Sequence, residues 1–222
     1  QTDDVGSFTT SFPAPPSIAG DHIVTATDTA GNTYSTIFTV LGVTISITPH
    51  SGPIGTIVTV SGTYATPSES VRIWWDNVEA HAINAEGDGT YSYDLTVPPS
   101  VAGAHTVTAE DVMSTNNASE TFTLLGITLS ITPASGPVGT VVTVTGTYAT
   151  PGGSVVIGWD SIEIKTVTAE LDGTYLYDLT IPASVNGEHT VTVEDVASTN
   201  TATQIFTVEP QIILTPEDGV VA

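Results

Sequence analysis

The 222-residue chain sets 24 Asp and Glu against only Arg72 and Lys165, a net charge of −22, and it contains no Cys. That balance excludes the basic footprint that nucleic acid requires and disfavours anionic lipid. The missing Cys excludes a disulfide framework and thiolate chemistry. With 40% hydrophobic and only 12% charged residues the chain is nonetheless expected to fold. No stretch is apolar for long enough to span a bilayer, so membrane insertion of this segment is not expected.

The chain repeats itself. Residues 42–125 and 126–209 align without a gap and agree at about 53 of 84 positions, the mark of a tandem array. Residues 1–41 match only the second half of this unit: His22 falls where His105 and His189 fall, and Phe38 where Phe122 and Phe206 fall. Residues 210–222 match only its first strand. The organisation read from sequence is a C-terminal half-repeat (1–41), two whole repeats (42–125 and 126–209) and the first strand of another (210–222). A chain that opens on Gln1 and starts and stops within repeats suits a segment of a longer parent.

In the half-repeat, Phe8, Thr10 and Phe12 occupy the positions of an inward strand face. In the first whole repeat, alternation at period two predicts strands at 43–48, 57–63, 71–76, 78–83, 91–97, 105–109 and 121–125. Ser51-Gly52-Pro53, Thr66-Pro67, Asp88-Gly89, Pro98-Pro99-Ser100 and Ala102-Gly103 separate them. The Asp-Gly pairs at 88–89 and 172–173 supply the positive φ of a tight turn. About seven short strands per unit and no helical period indicate all-β, tandem immunoglobulin-like antiparallel sandwiches. Units that abut without a Gly/Ser linker predict a semi-rigid rod.

The two copies separate core from surface. Val71, Ile73 and Trp75 become Val155, Ile157 and Trp159, while Arg72 and Trp74 become Val156 and Gly158. The first set is read as core and the second as exposed or edge, because successive side chains point to opposite faces. Tyr91, Tyr93 and Leu95, with Tyr175, Tyr177 and Leu179, give a second inward face.

Few residues invite chemistry. His22, His105 and His189 lie one period apart and so do not share an ion; each reads as a structural histidine at a strand start. His50 and His81 become Ala134 and Lys165 and read as surface. Asp111 and Asp195, in the repeated Glu-Asp pairs, are the candidates for calcium, which takes six to eight oxygens, although no D-x-D-x-D-G loop is present. No other metal or cofactor is expected. No nucleophile elbow, phosphate loop or zinc spacing appears, and no cleft is evident for paired carboxylates, so no catalytic residue is assigned. Trp74 points outward beside an inward Trp75, placed to stack on a sugar or on a neighbouring chain. Asn117-Ala118-Ser119 is a glycosylation sequon expected in the loop before the last strand. Ile212, Ile213 and Leu214 form an apolar strand without its sandwich and are assembly candidates together with Trp74.

The segments ISITPHSGPIGTIVTVSGTY and LSITPASGPVGTVVTVTGTY resemble the opening of IPT/TIG immunoglobulin-like domains. The later AGAHTVTAEDVMSTNNASETFTL resembles tandem repeats of prokaryotic, often archaeal, cell-surface proteins. The resemblance implies an extracellular setting and transfers no catalytic residue. Taken with the repeats it points to a non-enzymatic structural protein of a cell surface, a sheath, S-layer or filament whose partner is itself. The alternative is an adhesin stalk, or a carbohydrate-binding accessory module of an extracellular enzyme whose partners are glycans.

Overall fold

The structure, a computed structural model, describes residues 6–211. Eighteen strands and no helix occur among them. A hairpin of β1 (Gly20–Thr27) and β2 (Thr33–Val40) comes first. The first repeat then supplies β3 (Ser46–Thr48), β4 (Ser51–Gly52), β5 (Ile57–Gly62), β6 (Ser70–Trp75), β7 (Val78–Asn84), β8 (Tyr91–Thr96), β9 (Gly103–Asp111) and β10 (Asn117–Leu124). The second supplies β11 (Ser130–Thr132), β12 (Ser135–Gly136), β13 (Val141–Gly146), β14 (Ser154–Trp159), β15 (Ile162–Thr168), β16 (Tyr175–Thr180), β17 (Gly187–Asp195) and β18 (Thr201–Val208).

Each whole repeat makes a three-stranded sheet, β3-β5-β8 or β11-β13-β16, and a five-stranded one, β4-β10-β9-β6-β7 or β12-β18-β17-β14-β15. These are the two layers of immunoglobulin-like sandwiches. By contact the chain divides into two compact units. One takes the described residues up to Thr48 with Thr59–Leu95 and Thr106–Thr121; the other takes Pro49–Val58, Thr96–His105 and the described residues from Phe122 on.

Alternation decides what is buried. Val71 and Ile73 are fully buried and Trp75 nearly so, as are Val155, Ile157 and Trp159. In the second repeat these pack with Val142, Val144, Leu179, Val191, Val193 and Phe206 into one core. Burying a Val, Leu, Ile or Phe side chain is worth about 1.5–3 kcal/mol, so this core is what replaces the missing disulfides. Tyr93 and Tyr177 are only partly buried, and Tyr93 stacks on His81 with ring centroids 4.5 Å apart.

Several expectations change. The strand expected over 43–48 shrinks to β3, and the chain then moves to the other sheet, where β4 pairs β10 in parallel (Thr123 opposite Ser51). Pro49 between them has no N–H to continue the first ladder. The sandwich is therefore not wholly antiparallel. The last two strands are longer than the apolar pattern suggests: β9 runs on to Asp111, and β10 begins at Asn117. Their polar residues carry no hydrophobic signal and are held by backbone pairing. The strand bearing Trp74 and Gly158 is central, flanked by β9 and β7 or by β17 and β15, and Gly158 is buried rather than exposed. A Cβ there would lie 2.5 Å from Thr192 Oγ1. Residues 6–19 form no strand, and Phe8 and Phe12 are 56% and 62% exposed instead of inward, because no partner strand pairs with them among the described residues. Ile212, Ile213 and Leu214 lie outside the described residues.

One polar element locks each sandwich. Tyr91 is buried, which pushes its hydroxyl pKa up and keeps it a donor; it donates to the Thr44 carbonyl at 2.5 Å. Tyr175 does the same to Thr128 at 2.5 Å. Gly62 and Gly146 stand beneath these hydroxyls, where an added Cβ would overlap the Thr44 or Thr128 carbonyl. Tyr175→Phe is expected to lower the unfolding free energy by about 1–2 kcal/mol, and Gly146→Ala by more, because the methyl displaces backbone. Urea unfolding checks both; an unchanged midpoint in Gly146→Ala contradicts the packing.

Candidate functional site

The carboxylates singled out for calcium are the most enclosed polar groups of their repeats. Asp111 ends β9 and is 1% exposed; Asp195 ends β17 and is fully buried. Asp111 Oδ2 accepts from Thr66 N (2.9 Å), Thr66 Oγ1 (2.7 Å) and Ser114 Oγ (2.6 Å), and Oδ1 from Met113 N (3.1 Å). Asp195 repeats this with Thr150 N (3.0 Å), Thr150 Oγ1 (2.7 Å), Ser198 Oγ (2.7 Å) and Ala197 N (3.3 Å). Burial pushes the Asp111 carboxyl up, but the hydrogen bonds from Ser114, Thr66 and Met113 together outweigh it and hold the group below the ordinary carboxylate range. A hard cation needs oxygens turned toward it; here N–H and O–H donors point at the carboxylate. Among the described residues no three His, Cys, Asp or Glu gather into a metal-sized cluster.

The aspartate builds a turn. Asp111 N donates to Asn116 O at 2.8 Å, and Thr115 N donates back to Asp111 O at 2.8 Å. Thr115 and Thr199 take φ of 60°. The segment Asp-x-x-Ser-Thr-Asn, present at 111–116 and at 195–200, is thus one folded object, tied by Thr66 or Thr150 to the loop after β5 or β13.

The three related histidines are partly buried. Each places Nε2 on the carbonyl four residues before it: Ile18 O (2.7 Å), Val101 O (2.8 Å) and Val185 O (2.8 Å). That accounts for their recurrence without a metal. His189 also meets Asp160 Oδ2 through Nδ1 at 2.5 Å and stacks on Trp159 at 4.9 Å. Both ring nitrogens face acceptors, so both carry protons in the imidazolium form. The hydrogen bond to Asp160, then that to Val185, holds the imidazole above its ordinary value; the same contact to His189 holds Asp160 below its own. Asp160 and Ser161, with φ of 47° and 70°, form a two-residue hairpin turn shared by Asp76 and Asn77.

Trp74 is partly buried on the outer face of the five-stranded sheet, opposite Thr108 of β9. With Asn77, Thr106, Glu110, Asn117 and Ser119 it lines a shallow groove. Asn117 is exposed but opens β10 instead of lying in a loop, and its sequon serine pairs with Thr108 Oγ1 at 2.8 Å. The groove brings together the sequon and the outward Trp, which are distant in sequence.

Residues 43–124 match the family model of the IPT/TIG domain. No curated protein matches the chain. Among solved structures, the D0-D1 domain of intimin is 17% identical over 75% of this chain and 97% of its own, with a TM-score of 0.30. Invasin, a bacterial integrin-binding protein, is 22% identical over 77% of this chain and 40% of its own (TM-score 0.37). The Yersinia pseudotuberculosis adhesin InvE is 12% identical over 76% and 59% (TM-score 0.39). At these identities and TM-scores the likeness carries no functional argument.

Two tests follow from this geometry. Asp195→Ala leaves the Thr150 and Ser198 donors facing nothing and is expected to cost about 2–4 kcal/mol, while EDTA leaves the melting temperature unchanged; a calcium-dependent rise of several degrees would return the carboxylates to a ligand role. For His189, the raised folded pKa means a stabilisation fully present below the unfolded value of about 6.5 and lost as pH rises through the folded value. The lowered Asp160 adds stabilisation present above its unfolded value of about 3.9 and lost as pH falls through the folded one. The wild type should therefore exceed Asp160→Asn most between those two pH values, with the NMR titration midpoint of His189 falling in the variant. An unmoved midpoint contradicts the pairing.

Proposed function

We propose that the chain is a structural protein of a cell surface, part of a sheath, S-layer or extracellular filament in which immunoglobulin-like repeats self-assemble without catalysing a reaction. The observation that carries this reading is the set of large apolar side chains exposed on the β1–β2 hairpin. Ile23 and Ile37 pair across the two strands and are 75% and 65% exposed on one face, while Phe38, 48% exposed, lies opposite His22 on the other. Large apolar side chains left exposed on both faces of one hairpin, on a chain otherwise this acidic, favour contact with protein. The tandem copies support it, since similar sandwiches in series build an array. The family of residues 43–124 and the absence of a catalytic constellation among the described residues favour a non-catalytic role at an extracellular surface.

A second reading, a carbohydrate-binding stalk or accessory module, is favoured by the groove of Trp74, where an indole face lies among hydroxyl, amide and carboxylate groups.

Electron microscopy of the purified chain at rising concentration distinguishes the two. Ordered polymers are expected from the wild type, and dispersed monomers from Ile23→Asp with Ile37→Asp. Wild-type monomers at every concentration, together with glycan binding that Trp74→Ala abolishes, would overturn self-assembly in favour of sugar recognition. Sugar attached at Asn117 is read by the mass of the native protein.

A further inference from the structure

The Asp-x-x-Ser-Thr-Asn turn ends in a side chain that reaches beyond its own repeat. Within the first compact unit, Asn116 Oδ1 accepts from Ala19 N at 2.7 Å while its Nδ2 donates to Ser17 O at 2.9 Å. Within the second, Asn200 Oδ1 accepts from Ala102 N at 2.6 Å while its Nδ2 donates to Ser100 O at 3.0 Å. In both cases the amide closes on the backbone of a Ser-x-Ala segment of the preceding repeat, at residues 17–19 or 100–102. Asn200 is only 6% exposed, so the bonds of the second copy are the more shielded from water.

A second contact falls on the same alanine. A Cβ on Gly42 would lie 3.0 Å from Ala19 Cβ, and one on Gly126 would lie 2.9 Å from Ala102 Cβ. Neither glycine has a positive φ, so what the position requires is closeness and not an unusual backbone. The sequence spacing confirms that the two sites are copies. Ala19 precedes Gly42 by 23 residues and Ala102 precedes Gly126 by 24, the difference being the shorter turn at Asp28–Asn32 against Asp111–Asn116.

We infer that this pair of contacts, an asparagine pin and a glycine–alanine knuckle, is the surface by which each repeat takes the one before it. The partner is a Ser-x-Ala segment of a repeat of the same kind. The buried aspartate is a positioning residue: its bonds to Ser114 or Ser198 fix the turn, and that serine in turn accepts from the asparagine Nδ2 at 2.9 Å in each copy. The amide recognises one N–H and one C=O at once. A displacement by one residue presents them in the wrong order, so the pin sets register as well as adhesion. The code also has a sequence limit. Asn186 stands where Ala19 and Ala102 stand, and Pro210 where Gly42 and Gly126 stand, so the third position does not repeat this chemistry. The inference does not depend on whether the array assembles further or binds sugar.

Amide hydrogen exchange on the full 222-residue chain tests it. In Asn200→Ala, the Ala102 amide should exchange at least tenfold faster while the core amides of Val193 and Phe206 keep their rates. Gly126→Ala, which leaves the asparagine in place but pushes on Ala102, should accelerate the same amide. Ser198→Ala, which loosens the turn, should give an intermediate effect. An Ala102 amide unmoved in both Asn200→Ala and Gly126→Ala overturns the inference. So does equal acceleration of the core amides in Asn200→Ala, since that would make Asn200 a residue of its own sandwich only.

Discussion

A buried carboxylate surrounded by donors is the constraint on which the rest of each repeat depends. Asp111 and Asp195 sit at the ends of β9 and β17 with four N–H or O–H groups on each carboxylate. Burying an ion is costly unless it is fully hydrogen-bonded. Here the bonds come from two directions, the turn that the aspartate begins and the loop after β5 or β13. One side chain therefore closes the hairpin of the five-stranded sheet, ties it to the loop leaving the other sheet, and holds an asparagine outward. Packing stabilises the sandwiches, while this polar group decides where their ends are.

The same economy of polar contacts runs through the fold. Tyr91 and Tyr175 fix the entry of the first strand by one bond to a carbonyl, with Gly62 and Gly146 leaving room beneath them. The histidines bind the carbonyl four residues earlier, and Asp88 and Asp172 cap their turns through Thr90 and Thr174. Arg72 pairs with Glu79 at 3.6 Å, but both side chains are more than two-fifths exposed, and such pairs contribute little. With two basic residues in the chain, uncharged donors do what salt bridges do elsewhere.

Much of this was legible in the sequence. Val71, Ile73 and Trp75 announce an inward face by period two, and their counterparts in the second copy confirm it. Asp88-Gly89 and Asp172-Gly173 announce tight turns, and Gly89 and Gly173 take φ of 81° and 77°. What escaped is what side-chain pattern does not encode. Ser-Thr-Asn is retained at 114–116 and 198–200, yet its targets are backbone groups of Ser17, Ala19, Ser100 and Ala102, which any residue type offers. Phe8 and Phe12 look inward by alignment, but a strand face exists only where a partner strand pairs with it. Asp111 and Asp195 look like ligands because acidic loops often are, and the donors that surround them are not visible in the sequence.

The account comes down to whether an asparagine side chain joins one repeat to the backbone of another. Scalar coupling across the hydrogen bond reports this directly, from Asn200 Nδ2 to the carbonyl carbon of Ser100 in isotope-labelled protein. The account predicts a measurable coupling and a side-chain amide that exchanges slowly with water. A freely exchanging Asn200 amide with no coupling to Ser100 would contradict it.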